Sequence, residues 1–166
     1  SEEEKSGSVP RCESERIMSW MSESGASFDQ LLGLTPELLR DYTAFESRLW
    51  SSGVEPALLE LCRVRVALVL GCAGECERRT ADVALDDGKL AALEAWESSD
   101  VFNSLQRAAL RLTDGFVLKP HGVTDADAAA LAAHLTPPQM IALIEALALF
   151  DGFTRFRMML GTVEEA

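Results

Sequence analysis

ELCRVRVALVLGCAGECERRTAD, residues 60–82, is the stretch that decides how the rest of this chain folds. With the residues just before it, it forms an apolar run over residues 57–70 that has almost no polar face. A helix that is apolar on all sides is typical of the centre of a bundle. Gly71 follows as a helix-ending residue, and two cysteines and a run of charged residues come after it. The sequence therefore predicts a buried central helix that leads directly into a cysteine-containing turn.

Further helices are predicted on both sides of this segment. The sequence TPE at residues 35–37 combines a capping residue, a first-turn proline and an early acid, which is a strong helix start. The sequence TPPQ at residues 136–139 is a capping box with proline at the first helical position. No stretch shows the alternation of a half-buried strand. We expect an all-α bundle of about seven or eight helices. The expected helices cover residues 36–50, 56–70, 74–85 and 89–96, a helix capped by residues 98–100, and residues 124–135 and 137–159.

The length and composition predict a single domain with a substantial core. The chain has 166 residues and 48% hydrophobic content, and residues 15–166 are expected to form one helical domain. Residues 1–14 are predicted to be a disordered acidic lead, and the apolar residues within 15–22, among them Trp20, to form a short helix or a docking arm. The net charge of −12 argues against nucleic acid or an anionic membrane as a partner. Glu145 interrupts the longest apolar run and no secretory segment is recognisable, so we expect a cytoplasmic protein.

The two cysteines after Gly71 are the first candidates for chemistry. Cys72 and Cys76 lie four residues apart, which on a regular helix separates their Cα atoms by about 6 Å and allows a disulfide. A thiol at a helix N-terminus is stabilised as a thiolate, and Arg78 and Arg79 add positive charge nearby. Two glutamates in the same segment oppose that effect. Spacing alone leaves two interpretations open, a redox pair and a pair of inert buried thiols.

Metal and nucleotide sites are not indicated. The only histidines are His121 and His134, which are distant from the cysteines in sequence, so a zinc site is not expected. His134 near a helix end and His121 in a loop are interpreted as structural or solvated residues. No phosphate-binding loop or dinucleotide motif is present. We expect neither a metal nor another cofactor.

The segments quoted so far resemble the carboxymuconolactone decarboxylase family, which includes the AhpD-like alkylhydroperoxidases. The resemblance rests on residues 60–67 and 70–73, on the lead-in residues 28–50 and on the closing residues 135–161. Cys72 matches the first cysteine of the family motif. The second cysteine position holds Glu75, and the cysteine itself is displaced by one to Cys76. The family histidine falls on Arg79 in one alignment, or on alanine in another branch of the family.

This resemblance implies the AhpD-like helical fold and a thiol-dependent, peroxiredoxin-type reduction of hydroperoxides. In that hypothesis Cys72 and Cys76 form the redox pair, Glu60 acts as acid and base, and Arg79 stabilises a thiolate. A homo-oligomer and an external thiol reductant are also implied. Whether the chain is still an enzyme stays open, because no imidazole occupies the site.

Two alternatives remain. The first is an enzyme for a small carboxylate, with Arg78 or Arg79 binding the anion and Glu60 donating a proton. The second is a non-catalytic oligomeric binding protein of the same fold. All three hypotheses share a geometric question, because twelve residues of straight helix would separate Glu60 from Cys72 by about 18 Å. Either the chain folds back on itself, or a neighbouring subunit supplies one of the two residues.

Overall fold

A computed structural model describes residues 26–80 and 82–161, and these residues form an all-α bundle. They contain eight α-helices and two short 3₁₀ turns, and no β-strand. The prediction of fold class and helix number is therefore confirmed. The helices are α1 (Phe28–Leu32), α2 (Pro36–Trp50), α3 (Pro56–Leu70), α4 (Ala73–Glu77), α5 (Asp87–Ala92), α6 (Ser104–Leu118), α7 (Asp125–Ala132) and α8 (Pro137–Leu160).

Helix α3 lies at the centre, as its all-round apolar sequence predicts. It packs against α6 on one side and α8 on another. Leu59, Leu61 and Val66 on different sides of α3 have no solvent exposure, which requires neighbours all around the helix. Each such side chain stabilises the fold by about 1.5–3 kcal/mol when fully buried. The helix ends at Gly71, whose φ of 71° lies in the left-handed region where glycine is favoured.

The closing helix α8 begins where its capping sequence predicts. Proline occupies its first position, and the side chain of Gln139 accepts from the backbone N–H of Thr136 at 2.9 Å. The same glutamine also donates to the backbone carbonyl of Gly53 at 2.6 Å, which fixes the start of α8 against the turn before α3. The helix then runs for 24 residues, so a single element reaches from one end of the bundle to the cysteine segment.

Four of the expected elements differ in the structure. The helix expected over residues 89–96 instead covers Asp87–Ala92, and a separate 3₁₀ turn covers Trp96–Ser98. The helix predicted over residues 74–85 ends at Glu77, because the next residues are drawn back onto α3 by hydrogen bonds described below. The helix expected to be capped by residues 98–100 is instead capped by Asn103, whose side chain accepts from Gln106 at 2.9 Å. The face of α2 expected to be buried leaves Leu38 and Phe45 exposed, and Leu38 reaches 61%. Only Leu49 of α2 is fully buried, because the helix lies at the edge of the bundle.

Two further observations bear on the sequence predictions. Among the described residues no single helix is both long and apolar enough to cross a membrane; α7 and α8 pass that test only as a pair, bent by 118° at the break between them. The predicted acidic lead and docking arm, within residues 1–25, lie outside the described part of the chain.

Candidate functional site

The site is built around an ion pair inside the apolar helix α3. Glu60 and Arg63 are one turn apart on α3, and their exposures are 0% and 1%. Arg63 donates from Nε and Nη2 to the two carboxylate oxygens of Glu60, at 2.8 and 2.7 Å. This two-point pairing keeps both charges satisfied where no water reaches them.

The chain after α3 folds back and completes this pair. Arg63 donates to the backbone carbonyl of Glu75 at 2.8 Å and to that of Arg78 at 2.6 Å. Thr80 donates to Glu60 from its hydroxyl at 2.7 Å and from its backbone N–H at 3.2 Å. Within one chain, therefore, the cysteine-bearing segment returns to the helix that carries Glu60. The chain thus folds back between Glu60 and Thr80, which is the geometry of the first route expected from the sequence.

A second carboxylate, that of Glu75, is surrounded by three arginines. Arg63, Arg78 and Arg157 approach its oxygens to 3.0, 3.1 and 3.0 Å, and Glu75 itself is buried. Arg157 comes from α8, and its guanidinium lies 3.6 Å from the ring centre of Phe28, in a cation–π contact. Three guanidinium groups thus face two carboxylates in one buried cluster. We call Glu60, Arg63, Glu75, Arg78 and Arg157 the charge cluster.

The environment fixes the charge state of Glu60 and Arg63. Burial by itself raises the pKa of Glu60. Hydrogen bonds and charge from Arg63, together with hydrogen bonds from Thr80, lower the pKa by more than burial raises it. The net pKa therefore lies below the usual glutamate value. Burial lowers the pKa of Arg63, and the two carboxylates raise it by more. Glu60 is therefore a carboxylate that accepts hydrogen bonds, and in this arrangement it has no proton to donate.

A small cavity adjoins the charge cluster. Its walls include Tyr42 from α2, Thr154 from α8 and three of the cluster arginines, and its volume of about 10 Å³ suits roughly one water molecule. Burial, followed by the nearby Glu46, raises the pKa of the Tyr42 phenol well above its usual value. Tyr42 is therefore a neutral hydrogen-bonding group at neutral pH.

The two candidate cysteines lie at the two ends of the short helix α4. Cys72 is its N-cap residue, and the backbone N–H of Cys76 donates to the carbonyl of Cys72 at 3.0 Å. Both side chains are partly exposed. Across the described ranges no disulfide joins any of the cysteines.

The two thiols with shifted pKa values differ in their surroundings. Burial, and then the neighbouring Cys72, raise the pKa of Cys76 to about 11, although the charges of Arg63 and Arg79 lower it in part. The backbone hydrogen bond from Cys76 to Cys72 places the two residues one helical turn apart. Cys62, on the buried side of α3, has its pKa raised to about 12 by burial. Cys62 is a core residue with no access to a substrate.

Arg79 lies at the surface and not in the charge cluster. Its guanidinium donates to the backbone carbonyls of Cys76 and Arg78, the latter at 2.8 Å. It therefore closes the end of α4 and adds positive charge near Cys76. Of the four predicted site residues, Cys72 and Cys76 are brought together, Arg79 lies beside them, and Glu60 is reached through Arg63.

The two histidines take no part in the contacts described for this site. His134 is exposed, and its Nε2 lies 3.0 Å from the hydroxyl of Ser104. His121 is exposed in a 3₁₀ turn. In the part of the chain that the structure describes, no group of three metal-binding side chains comes together.

Sequence reasoning missed three members of the site. The role of Arg63 could have been predicted from the sequence. An arginine inside a helix that is apolar on all sides requires a buried counterion, and Glu60 lies at the right spacing to be one. Arg157 and Thr80 had no such signal, since their roles depend on how α8 and the fold-back segment approach α3.

Comparison with known proteins identifies the fold. No family model matches the sequence, and no curated protein matches it. Among solved structures, one similar chain is a protein of unknown function from Agrobacterium tumefaciens that is suggested to be the antioxidant defence protein AhpD. The TM-score is 0.73 at 20% identity, over 82% of this chain and 96% of that one.

The debrominase Bmp8 is also similar. Its apo structure gives a TM-score of 0.72 at 16% identity, over 82% of this chain and 76% of that one. A cysteine-to-alanine variant of Bmp8 in complex with 2,3,4-tribromopyrrole gives 0.69 at 17% identity, over 82% and 75% of the two chains. At these identities the likeness speaks for the fold, and this chain has the AhpD-like helical fold that its sequence predicts.

Proposed function

We propose that this protein reduces hydroperoxides with the thiols of Cys72 and Cys76. The observation that carries the proposal is the pair of partly exposed thiols one helical turn apart, joined by a backbone hydrogen bond of 3.0 Å from Cys76 to Cys72. The AhpD-like fold and a similar structure suggested to be an antioxidant defence protein support it.

We assign different roles to the two thiols from their positions on α4. Cys72 is the attacking residue, because it precedes the first turn of α4 and thiolates are favoured at helix N-termini. Its thiolate attacks one oxygen of the hydroperoxide, the O–O bond breaks, and the leaving alkoxide takes a proton from water. Cys72 is thereby oxidised to a sulfenic acid and the hydroperoxide is reduced to an alcohol.

Cys76 completes the reaction as the resolving thiol. Its raised pKa keeps it protonated until Cys72 has been oxidised. The Cys76 sulfur then bonds to the Cys72 sulfur, and the hydroxyl of the sulfenic acid leaves as water with the thiol proton. An external dithiol reduces the resulting disulfide and returns both residues to the form seen here.

Glu60 and Arg79 support this reaction without transferring protons. Glu60 holds Arg63 in place, and Arg63 in turn anchors the carbonyls of the segment that carries Cys76. Arg79 places a positive charge beside Cys76 and so limits the rise in its pKa. We regard Glu60 as a positioning residue, which replaces the acid and base role expected from the sequence.

Peroxide consumption by cysteine variants tests the proposal. With dithiothreitol as reductant and tert-butyl hydroperoxide as substrate, the wild type and Cys62→Ser should turn over alike, because Cys62 is a core residue. Cys72→Ser should be inactive. In a single turnover without reductant, Cys76→Ser should consume one equivalent of peroxide and retain a sulfenic acid that dimedone traps at Cys72, because dithiothreitol would otherwise reduce that sulfenic acid. Wild-type activity in Cys72→Ser, or no peroxide-dependent loss of two thiols in the wild type, would overturn the proposal.

A small-carboxylate enzyme is the second candidate, favoured by the three arginines around Glu75. The geometry supports it less well. Glu75 already occupies those arginines, the adjoining cavity has room for about one water, and Glu60 is ionised. Thermal stabilisation by one member of a panel of small carboxylates, unaffected by alkylation of the thiols, would favour it. If the thiols do not react with peroxide and no carboxylate raises the melting temperature, the remaining hypothesis is a non-catalytic binding protein of this fold.

A further inference from the structure

Glu75 links the thiol pair to the closing helix α8. It lies on α4 between Cys72 and Cys76, and the guanidinium of Arg157 on α8 approaches its carboxylate to 3.0 Å. The Arg157 side chain is only 11% exposed and lies against the ring of Phe28. The geometry of the turn that bears the thiols is therefore set in part by a helix that carries neither of them.

The turn that bears the thiols is held at both of its ends. At its start, the backbone N–H of Cys72 donates to the carbonyl of Ala67 at 2.9 Å, a bond that also caps the end of α3. Near its end, Arg63 donates to the backbone carbonyl of Glu75 at 2.8 Å and to its carboxylate at 3.0 Å. Arg157 holds the same carboxylate from α8. These contacts together fix the turn as one turn of helix.

A disulfide between the two cysteines needs a tighter turn than this one. The backbone N–H of Cys76 donates to the carbonyl of Cys72 at 3.0 Å, as residues one helical turn apart do. Cβ atoms at that spacing are about 5–6 Å apart, whereas a disulfide holds them at about 3.5–4.5 Å. To close the bond, the turn must contract against the contacts that hold Glu75.

We propose that Arg157 is a positioning residue that sets the redox equilibrium of the thiol pair through its hold on Glu75. The inference rests on the proposed function for its oxidant. The hydroperoxide takes two electrons and two protons from the thiols as the disulfide forms, and it leaves as alcohol and water. Contacts that favour the open turn favour the dithiol, and formation of the disulfide in turn weakens those contacts. The disulfide is thereby made easier for an external dithiol to reduce.

Equilibration in glutathione buffers tests the inference without any hydroperoxide. In these buffers one glutathione disulfide oxidises the two thiols of the protein and becomes two glutathione thiols. Acid quenching and alkylation then preserve the two forms of the protein. They are quantified by mass in the tryptic peptide of residues 66–78, which contains Cys72 and Cys76 and no other cysteine.

Arg157→Met should shift this equilibrium towards the disulfide. The substitution removes the charge but keeps an apolar side chain against Phe28. Two arginines still face two carboxylates in the charge cluster, so the variant should fold. The ratio of disulfide to dithiol should rise by about tenfold, which corresponds to a reduction potential lower by about 30 mV.

Arg78→Gln is a second test at a position where a substitution is better tolerated. Arg78 approaches the Glu75 carboxylate to 3.1 Å and is partly exposed, so its loss should raise the ratio in the same direction. For both variants the rise should be equal at mildly acidic and at neutral pH. An electrostatic effect on a thiolate would instead grow with pH.

Arg155→Met is the matched control on the same helix. Arg155 is half exposed and pairs with Asp151 of α8 at 3.0 Å. Its substitution also removes one arginine charge from α8 but leaves the contacts of Glu75 in place. The ratio should stay at the wild-type value.

Several results would overturn the inference. These are an unchanged or lower ratio in Arg157→Met and Arg78→Gln, an equal rise in Arg155→Met, and a wild type that forms no disulfide in any glutathione buffer. The proposed function is judged separately by peroxide consumption. A protein that consumes no hydroperoxide but shows the Arg157-dependent ratio would refute the function and leave this inference standing.

Discussion

The guanidinium of Arg63 lies 3.0 Å from the carboxylate of Glu75, twelve residues further along the chain, and both side chains are buried. Arg63 belongs to the central helix α3, whereas Glu75 belongs to the short helix α4 that carries the cysteines. Because neither charge has access to water, each depends on the other for its solvation. The position of the dithiol is therefore tied to the core of the protein by a contact that cannot be lost without penalty.

Removal of the Glu75 charge should destabilise the protein strongly. Glu75→Gln keeps the shape of the side chain but leaves Arg63, Arg78 and Arg157 with Glu60 as the one remaining carboxylate of the charge cluster. Breaking a buried pair in this way is expected to cost about 3–5 kcal/mol. Urea unfolding monitored by circular dichroism measures the free energy of unfolding.

Asp41→Asn is the control for this experiment, since Asp41 pairs with Arg40 at 3.0 Å on an exposed part of α2. Its loss should change the free energy of unfolding by about 1 kcal/mol or less. Equal effects of the two substitutions would show that Glu75 is not held as described.

Acid should destabilise the protein in part through Glu60. The folded-state pKa of Glu60 is lowered, so its carboxylate contributes stability that is fully present above the ordinary glutamate value of about 4.3. That contribution is lost as the pH falls through the lowered folded-state value. Unfolding free energies measured across this acidic range should therefore fall more steeply for the wild type than for Glu60→Gln.

Thr80→Val provides a milder test of the same linkage. It removes the hydroxyl that donates to Glu60 at 2.7 Å, while the ion pair with Arg63 stays. The loss should be about 1–2 kcal/mol, and the acid-dependent part of the stability should shrink because the Glu60 pKa moves back towards its usual value. An unchanged pH profile in both variants would contradict the assignment.

The thiols should differ in their reactivity with iodoacetamide. The Cys62 pKa of about 12 and its burial predict no labelling in the folded protein and full labelling in urea. Cys76 should react slowly at neutral pH and faster as the pH approaches about 11. Timed labelling of a Cys12→Ser variant, read by peptide mass, separates the sites. Labelling of Cys62 at the rate of Cys76 in folded protein would contradict the structure.

Asp114 offers a way to disturb the fold without touching the thiols. Its carboxylate accepts two hydrogen bonds from Arg65, at 2.7 and 2.9 Å, and one from the indole of Trp96 at 3.0 Å. Asp114→Ala should cost about 2–3 kcal/mol and should shift the fluorescence of Trp96. Peroxide consumption below the melting temperature should stay at the wild-type level. A loss of activity without a change in stability would point to a role for Asp114 that the structure does not show.

The sequence predicted the fold well because its strongest signals are local. The proline-containing caps of α2 and α8 and the glycine after α3 act within one or two turns, and each element begins or ends where expected. The helix expected over residues 74–85 was wrong for a reason that is not local. Arg63 binds the carbonyls of Glu75 and Arg78, and this tertiary contact replaces the helical continuation.

The candidate site was predicted in part for the same reason. Spacing brought Cys72 and Cys76 together, since four residues make one turn of helix. It did not indicate that Glu75, between them, would be held by Arg157 of α8, 82 residues further along the chain. The acid and base role of Glu60 stays a prediction from the residue type, and the structure adds that its hydrogen-bond partners hold it as a carboxylate.

The threonine that closes over Glu60 has a consequence for folding. The ionic groups inside α3 can be withdrawn from water only after residues 75–80 have turned back, so the central helix and the turn bearing the thiols must assemble in the same step. Because the loop between them is short, its closure entropy is small and this step can occur early. A disulfide between Cys72 and Cys76 would then also constrain the contacts of the central helix α3. Unfolding rates would therefore differ between the oxidised and reduced chains.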